Sequence, residues 1–216
     1  DLARLGVARG RTSLVPTGVD SAAFAPIGPL APRRPRPRRI LAVAPPDQLP
    51  EHKNLVDVVT ALRYVPEAEL VVVGGPPRGQ LAGDPRVRQL HQVARACGVA
   101  GRVRFTGRVP REEMPRWYRS ADVLACASSH ESFGAAAIEA MACGVPVVAT
   151  AVGALRDAVV DGVTGVLVPV HQPAHLGHAL REVLADQIRR LEYAAAGLDR
   201  ARQCYAWDRV ADRLGT

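Results

Sequence analysis

Two glutamates eight positions apart, Glu131 and Glu139, are the residues whose types and setting best suit chemistry. Glu139 lies among alanines, Ile138 and Met141, in a segment that we expect to be a helix packed deep in the protein. A buried carboxylate is costly without hydrogen-bond donors, and an ionised carboxylate can accept from two hydroxyl groups at once. The two hydroxyls of a ribose would therefore suit Glu139, and so would a loop N–H or an arginine.

Glu131 follows a predicted strand that ends near Ala127, so its carboxylate should lie at the carboxyl edge of a sheet. Gly134 then allows a ligand to approach the backbone closely, and the free N–H groups of the first helical turn attract an anion such as a diphosphate. One loop thus offers an acceptor for sugar hydroxyls and donors for phosphate. As a bare pattern, two glutamates at this spacing are only a weak indication.

The elements that must position these residues alternate between short apolar runs and helical patterns, which predicts an α/β fold. The predicted strands are 40–43, 70–73, 103–105, 123–126, 145–149 and 166–168, and the helical segments between them are 53–64, 87–97, 111–120 and 134–143. Two or three further helices fill the rest of the chain. Continuously apolar strands indicate a doubly wound, Rossmann-like parallel sheet that is covered on both faces. Ligands of such sheets bind beyond the carboxyl ends of the strands.

The net charge of +7 suggests a partner with phosphate groups, but a dense part of it lies in the proline-broken segment 33–39. That segment predicts an extended linker or a solvated arm. Aromatic residues are only 4% of the chain, too few for the stacking platforms of single-strand binders, so we expect no nucleic-acid binding. An anionic lipid or an acidic partner stays an alternative for the arm.

The remaining composition narrows the setting of the protein. The scattered cysteines, which are Cys97, Cys126, Cys143 and Cys204, predict buried thiols in a reducing compartment. No apolar run approaches the roughly 20 residues that a spanning helix needs. Because the chain begins at Asp1 without a leader pattern, we expect it to be a piece of a longer protein.

The stretch from Glu131 to Thr150 resembles the E-x7-E signature of the retaining GT-B glycosyltransferases of family four, the group 1 glycosyl transferases. The likeness is carried by both glutamates, by Ser132-Phe133-Gly134 between them and by the apolar run 140–150. Segments in the order found in this family are 15–20, 102–107, 118–123 and 161–168, followed by Trp207 and Arg209. The resemblance covers essentially the whole chain and is nearest to actinobacterial enzymes that build mycothiol precursors.

The resemblance implies a division of the chain. Residues 1–32 would lead in from an N-terminal acceptor domain, and residues 33–39 would be an Arg/Pro-rich linker. Residues 40–204 would form the nucleotide-sugar-binding domain, the C-terminal half of a GT-B fold. Residues 205–216 would be a helical tail that crosses back onto the other domain.

The resemblance also implies roles for the site residues. The position of Glu139 holds the ribose hydroxyls, and that of Glu131, the expected catalytic residue, contacts the donor sugar. Backbone amides around Phe133, Gly134 and Ala135 would face the sugar and the diphosphate.

The base would lie against the loop after the third predicted strand, where Arg108 and Val109 are candidates for main-chain contacts. No metal or other cofactor is expected. Three histidines, at 171, 175 and 178, lack an accompanying carboxylate and favour a surface cluster over a metal site.

The diphosphate clamp is where the sequence departs from the family pattern. The family has an arginine after the first strand of this domain, but here the strand runs into Ala44-Pro45-Pro46-Asp47. Lys53, the only lysine of the chain, occupies the family's lysine position and is assigned to phosphate. Arg78 or His52 could replace the arginine, the loop 45–50 could rearrange, or the protein could be a weak or inactive relative.

These observations together predict the donor-binding domain of a glycosyltransferase that moves a sugar from a nucleoside diphosphate sugar to an acceptor hydroxyl with retention. The isolated domain is expected to be inactive, and the enzyme to be cytoplasmic, with contact to the inner face of the membrane left open. One alternative is a degenerate, non-catalytic binding domain of the same fold. Another is a binder of anionic polymers or lipids that uses the arginine-rich segment.

Overall fold

The structure is a computed structural model that describes residues 15–33 and 35–212. Within these residues it contains one six-stranded sheet in the order β3-β2-β1-β4-β5-β6, and every pairing is parallel. Its strands are β1 Arg38–Pro46, β2 Ala68–Gly75, β3 Val103–Phe105, β4 Val123–Cys126, β5 Val147–Thr150 and β6 Gly165–Val168. The order reverses between β1 and β4, as it does in the Rossmann fold.

Helices cover both faces of this sheet. They are α1 Leu55–Ala61, α2 Pro85–Ala96, α3 Met114–Arg119, α4 Ala135–Ala142, α5 Leu155–Ala158, α6 Pro173–Ala185, α7 Gln187–Arg200 and α8 Trp207–Asp212. One core cluster joins the sheet to α1, α2 and α6, and the other joins it to α3, α4, α5 and the π-helical turn Ala201–Tyr205. The predicted α/β fold is therefore confirmed.

Strand β1 shows why the predicted strands are apolar at successive positions, without polar residues at every second one. Ile40 and Ala42 belong to the first core cluster, whereas Leu41 belongs to the second. Successive side chains of a strand point to opposite faces, so a strand that is covered on both sides must be apolar throughout. The strand begins at Arg38, two residues before the predicted start.

The predicted helix over residues 53–64 is wrong at its start. Asn54 adopts a left-handed backbone, with φ of 52°, and separates the 3-10 turn Glu51–Lys53 from α1. Asparagine is among the few residues that tolerate this conformation. Lys53 thus belongs to a loop turn and not to the first turn of a helix.

The expectation of a solvated arginine arm is wrong for part of segment 33–39. Arg39 is only 1% exposed and donates from Nε to Glu69, at 2.7 Å, and from a terminal nitrogen to the Ser120 hydroxyl, at 3.0 Å. Arg33 and Arg38 bind the two oxygens of Asp122, at 2.8 and 3.1 Å. Arg36 is exposed, and Arg34 lies outside the described residues.

The physical reason for this error is distance along the chain. The prolines do keep segment 33–39 from becoming a helix, but its carboxylate partners are supplied from residues 30 to 89 positions away. Burial by itself would raise the pKa of the Asp122 carboxyl, yet the Arg39 N–H and the Arg33 and Arg38 guanidinium groups hold it below its ordinary value. Arg33, Arg38 and Arg39 therefore anchor this segment to the folded domain.

The leading segment and the C-terminal tail meet through their backbones. The Val19 N–H donates to the Tyr205 carbonyl at 2.7 Å, and the Trp207 N–H donates to the Val19 carbonyl at 3.3 Å. Phe24, which is buried, packs edge-on against Tyr118. The predicted helices after β6 are confirmed as α6, α7 and α8, and residues 1–14 and 213–216 lie outside the described part.

Candidate functional site

A cleft of about 410 Å³ opens at the carboxyl edge of the sheet, beside the point where the strand order reverses. Open α/β sheets bind ligands at this place. Six residues predicted from the sequence line it, namely Lys53, Arg108, Val109, Glu131, Ala135 and Glu139. Residues that the sequence analysis did not assign to a site also line it, among them Val43, Ala44, Pro45, Pro46, Gly74, Pro110, Arg111, Met114 and Tyr118.

A larger cleft, of about 840 Å³, lies at the opposite edge of the sheet, where the strands begin. Its walls include Arg36, Arg38, Glu67 and Arg181, and none of the predicted site residues. A choice by size alone would make this larger cleft the candidate ligand site. The position of the switch point and of the two carboxylates favours the smaller cleft instead.

Glu131 lies in the loop between β4 and α4, with its side chain 15% exposed. One carboxylate oxygen accepts from the Lys53 ammonium at 2.7 Å, and the other accepts from the Gly134 N–H at 3.3 Å. Burial alone would raise the pKa of Glu131, but Lys53 and the N–H groups of Gly134 and Phe133 outweigh it and hold the pKa below its ordinary value. Glu131 is therefore ionised at neutral pH, a state in which a carboxylate can accept hydrogen bonds from hydroxyl groups.

A close backbone contact fixes the loop that carries Glu131. The Ala154 N–H donates to the Glu131 carbonyl at 3.0 Å. A Cβ at Gly153, which has φ of 44°, would lie only 2.1 Å from the same carbonyl oxygen. Gly153 thus lets the loop after β5 lie against the Glu131 backbone, a closeness that any side chain would prevent.

Glu139 projects from α4 into the cleft and is 6% exposed. It accepts from the Tyr118 hydroxyl at 2.7 Å on one oxygen and pairs with Arg111 at 2.6 Å on the other. The arginine that the sequence left open as a partner is therefore present. The carboxylate still faces the cleft, where its remaining lone pairs can accept from a ligand.

Tyr118 and Arg111 differ in their environments although they hold the same carboxylate. Tyr118 is fully buried, and burial together with the nearby Glu139 charge raises the pKa of its phenol well above the ordinary value, so it donates as a neutral hydroxyl. The Arg111 side chain is 65% exposed, and its guanidinium carbon lies 4.7 Å from the centre of the Phe24 ring. The need of Glu139 for donors was the signal that could have identified both.

Arg108 and Val109 lie at the rim of the cleft, as expected. The Arg108 N–H donates to the Pro76 carbonyl at 3.0 Å, so it is not available for a ligand. The Arg108 side chain reaches Asp47 at 3.3 Å, and both of these side chains are more than half exposed. A main-chain contact to a base would have to use the Arg108 carbonyl or Val109.

Phe133 and Gly134 are not brought into the cleft wall. The Phe133 side chain is among the exposed large hydrophobic groups, at 66%, and the Gly134 N–H is engaged by Glu131. Gly134 has φ of 68° and precedes α4, so it turns the chain from the loop into the helix. Of the three predicted backbone positions, only Ala135 lines the cleft.

The position of the expected clamp arginine is occupied by Pro45, which lines the cleft without a charge. Neither Arg78 nor His52, the predicted substitutes, lines the cleft. Its cationic side chains are Lys53, Arg108 and Arg111. Arg111 comes from the loop after β3, where the sequence analysis had not searched for a clamp.

Two of the three histidines that the sequence analysis considered as a cluster, His171 and His178, contact different residues. His171 lies 3.7 Å from an Asp57 oxygen, and His178 packs edge-on against Tyr64. Within residues 15–33 and 35–212, no group of three or more His, Cys, Asp or Glu side chains is arranged to hold a metal ion. Over the same residues, none of the helices is both long and apolar enough to cross a bilayer.

Comparison with known proteins gives a match to the family described as glycosyl transferases group 1, over residues 37–200. The chain belongs to this family. The D-inositol 3-phosphate glycosyltransferase of Xylanimonas cellulosilytica is 41% identical over 222 residues, a match that covers 98% of the chain and 52% of that protein. This chain of a group 1 glycosyltransferase thus spans about half the length of such a relative.

Solved structures show the same fold. Sucrose-phosphate synthase from Thermosynechococcus elongatus superposes with a TM-score of 0.85 at 29% identity, over 99% of this glycosyltransferase chain and 53% of that one. Anabaena HepE, solved in complex with UDP, superposes with a TM-score of 0.83 at 22% identity, over 99% of this chain and 58% of that one. The predicted C-terminal half of a GT-B fold is confirmed.

Proposed function

We propose that this domain binds the nucleoside diphosphate sugar donor of a glycosyltransferase. The observation that carries the proposal is the meeting of Glu131 and Glu139 in one cleft at the switch point of the sheet. A nucleoside diphosphate sugar has hydroxyl groups at both ends, on the ribose and on the sugar, with phosphates between them. Glu139 would accept from the ribose and Glu131 from the sugar, because both are acceptors held at the cleft wall.

The chemical step breaks the bond between the anomeric carbon and the diphosphate oxygen, with the electron pair leaving on the diphosphate. A bond forms from the acceptor oxygen to the same carbon, and the acceptor proton is released. Negative charge therefore grows on the leaving group, and a preorganised cation stabilises it. Lys53, held at 2.7 Å from Glu131, would supply such a cation next to the sugar. No metal or cofactor is required in this proposal.

Retention of the anomeric configuration and the location of the acceptor site are parts of the same proposal. The acceptor would be bound by a further domain of a longer protein, because the relatives are about twice as long as the matched chain. The isolated domain would then bind the donor without transferring its sugar. A cytoplasmic location, where sugar donors and reduced thiols occur together, agrees with the free cysteines at 97, 126, 143 and 204.

Similarity to known proteins supports the proposal at two levels. The relative from Xylanimonas bears the name of a glycosyltransferase, and HepE, part of which has the same fold, was solved in complex with UDP. The alternative of a degenerate domain predicts that the cleft binds no nucleotide. Because the two carboxylates and Lys53 still converge on it, we favour the donor site.

Calorimetric titration with UDP, GDP and their nucleotide sugars tests the proposal. We expect one of the nucleoside diphosphates to bind, and Glu139→Gln to weaken it by about ten- to a hundredfold, since a charged acceptor of hydroxyl groups is lost. The matched control is Glu182→Gln on α6, a glutamate whose side chain is 65% exposed and lies outside the cleft. Absence of binding at millimolar nucleotide, or equal affinity in Glu139→Gln and wild type, would show that the cleft is not a donor site.

A further inference from the structure

A loaded cleft would carry more negative charge than its best-placed cation, Lys53, can neutralise alone. It contains the carboxylates of Glu131 and Glu139, and a diphosphate would add further negative charge. Lys53 is already paired with Glu131 at 2.7 Å. The end of β1 contributes only uncharged residues to the cleft, Val43 to Pro46. A diphosphate therefore needs another cation from a different wall.

Arg111 is placed to be that cation. It opens the 3-10 turn Arg111–Glu113 after β3, and a terminal nitrogen lies 2.6 Å from Glu139. Its guanidinium also lies over the Phe24 ring, 4.7 Å from the ring centre, which favours a cation at this point. Arg111 lines the cleft, and 65% of its side chain is exposed, so the group is accessible to a ligand.

The donor capacity of Arg111 is not exhausted by this pair. A guanidinium has five N–H groups in a planar fork, which suits phosphate oxygens, whereas the contact to Glu139 uses one terminal nitrogen. Tyr118 anchors the other oxygen of Glu139, so this carboxylate does not depend on Arg111 alone. Arg111 can thus turn part of its fork to a ligand while Glu139 stays in place.

The chemistry of the ligand brings its phosphates to this position. In a nucleoside diphosphate the first phosphate is attached to the ribose itself. A ribose held by Glu139 therefore brings its phosphate into the neighbourhood of Arg111, which is the charged one of the two groups that contact Glu139. Arg108, the remaining cation, is directed to Asp47 at the exposed rim.

We propose that Arg111 is a phosphate-binding residue of the donor site and provides the positive charge that the end of β1, at Pro45, lacks. The inference rests on the proposed function, because it requires that Glu139 holds the ribose. It assigns Arg111 two contacts in the loaded site, one with the Glu139 carboxylate and one with the diphosphate.

The test compares a ligand that has phosphates with one that has none. UDP and uridine are titrated into wild type and Arg111→Gln, or GDP and guanosine if wild type prefers guanine. We expect Arg111→Gln to weaken the diphosphate by about ten- to a hundredfold, the range of one charged hydrogen bond, and the nucleoside by less than about threefold. Arg111→Lys should recover part of the loss, since it keeps the charge but not the fork.

The control is Arg104→Gln, which removes the same charge from an exposed position on β3 outside the cleft. It should bind both ligands as wild type does. Thermal melts show whether each variant is folded, and high salt should narrow the difference between wild type and Arg111→Gln.

Three results would overturn the inference. Equal losses for diphosphate and nucleoside would mean that Arg111 only positions Glu139. Unchanged binding would mean that it makes no contact, and tighter binding would mean that it competes with the ribose. If wild type binds no nucleoside diphosphate at all, the proposed function itself fails, which is a distinct outcome from a wild type that binds and a variant that is unaffected.

Discussion

Replacing Gly153 by alanine should damage the loop that carries Glu131 more than any backbone preference alone would explain. The new Cβ would lie 2.1 Å from the Glu131 carbonyl oxygen, so the two loops must move apart by about 1 Å to restore an ordinary contact. The left-handed φ of 44° costs an alanine about 1 kcal/mol, and relief of the overlap adds about 1–3 kcal/mol. We expect a total destabilisation of about 2–4 kcal/mol.

Gly162 offers a control that separates the cost of the left-handed backbone from the cost of the overlap with Glu131. It also has a left-handed backbone, with φ of 71°, but a Cβ added there would meet nothing within 4 Å among the described residues. Gly162→Ala should therefore cost only the backbone term, about 1 kcal/mol. Urea unfolding of both variants gives the difference in free energy directly.

The same displacement should be visible in ligand binding. Glu131 is proposed to hold the sugar of the donor, so a shift of its loop by about 1 Å should reduce the preference for nucleotide sugar over nucleotide alone, and binding through Glu139 should persist. Calorimetry with UDP-glucose and UDP measures this preference. If Gly153→Ala matches Gly162→Ala in both stability and binding, the close contact with Glu131 does not exist in the molecule and our reasoning about the loop is refuted.

Two further predictions test charge pairs. Arg39→Met should destabilise the domain by about 3 kcal/mol because it leaves Glu69 unpaired in a largely buried setting. The double variant Arg39→Met with Glu69→Leu should recover more than half of the lost free energy of unfolding. A double variant as unstable as the single one would contradict this explanation. The lowered pKa of Glu131 means that its pair with Lys53 stabilises above the ordinary glutamate value of about 4.3 and is lost as the pH falls through the folded value. Urea unfolding at about pH 6 and about pH 3 should show a larger acid loss for wild type than for Glu131→Gln, and equal losses would count against the pair.

The fold was predictable because its signals are local. Most strands follow from a run of consecutive apolar residues, such as Leu70 to Val73 in β2, although the ends of β1, β2, β5 and β6 differ from the ends of these runs. The break at Asn54 was missed because one residue in a left-handed conformation leaves the apolar spacing of α1 unchanged. The pairing of Arg39 with Glu69 was missed because it joins two strands across 30 positions.

The candidate site was predictable in its anions and less so in its cations. Glu131, Glu139 and Lys53 could be selected because a carboxylate in an apolar helix and a single lysine are unusual in this composition. Arg111 is one of many arginines, and its contact with Glu139 joins residues far apart in the chain, so composition gave no reason to prefer it. Phe133 was assigned for its backbone amide, through its place between the glutamates, but this residue does not line the cleft.

The left-handed residue Asn54 divides two tasks between adjoining stretches of chain. The turn Glu51–Lys53 has no buried residue and carries the lysine of the cleft, whereas α1 buries Leu55, Val58 and Val59 in the core. Exchanges in the turn Glu51–Lys53 can therefore alter the cleft without unpacking the interior, whereas Leu49, earlier in the same loop, belongs to the core. Evolution, or a designer who wants another ligand preference, can change this turn independently of the scaffold that supports it.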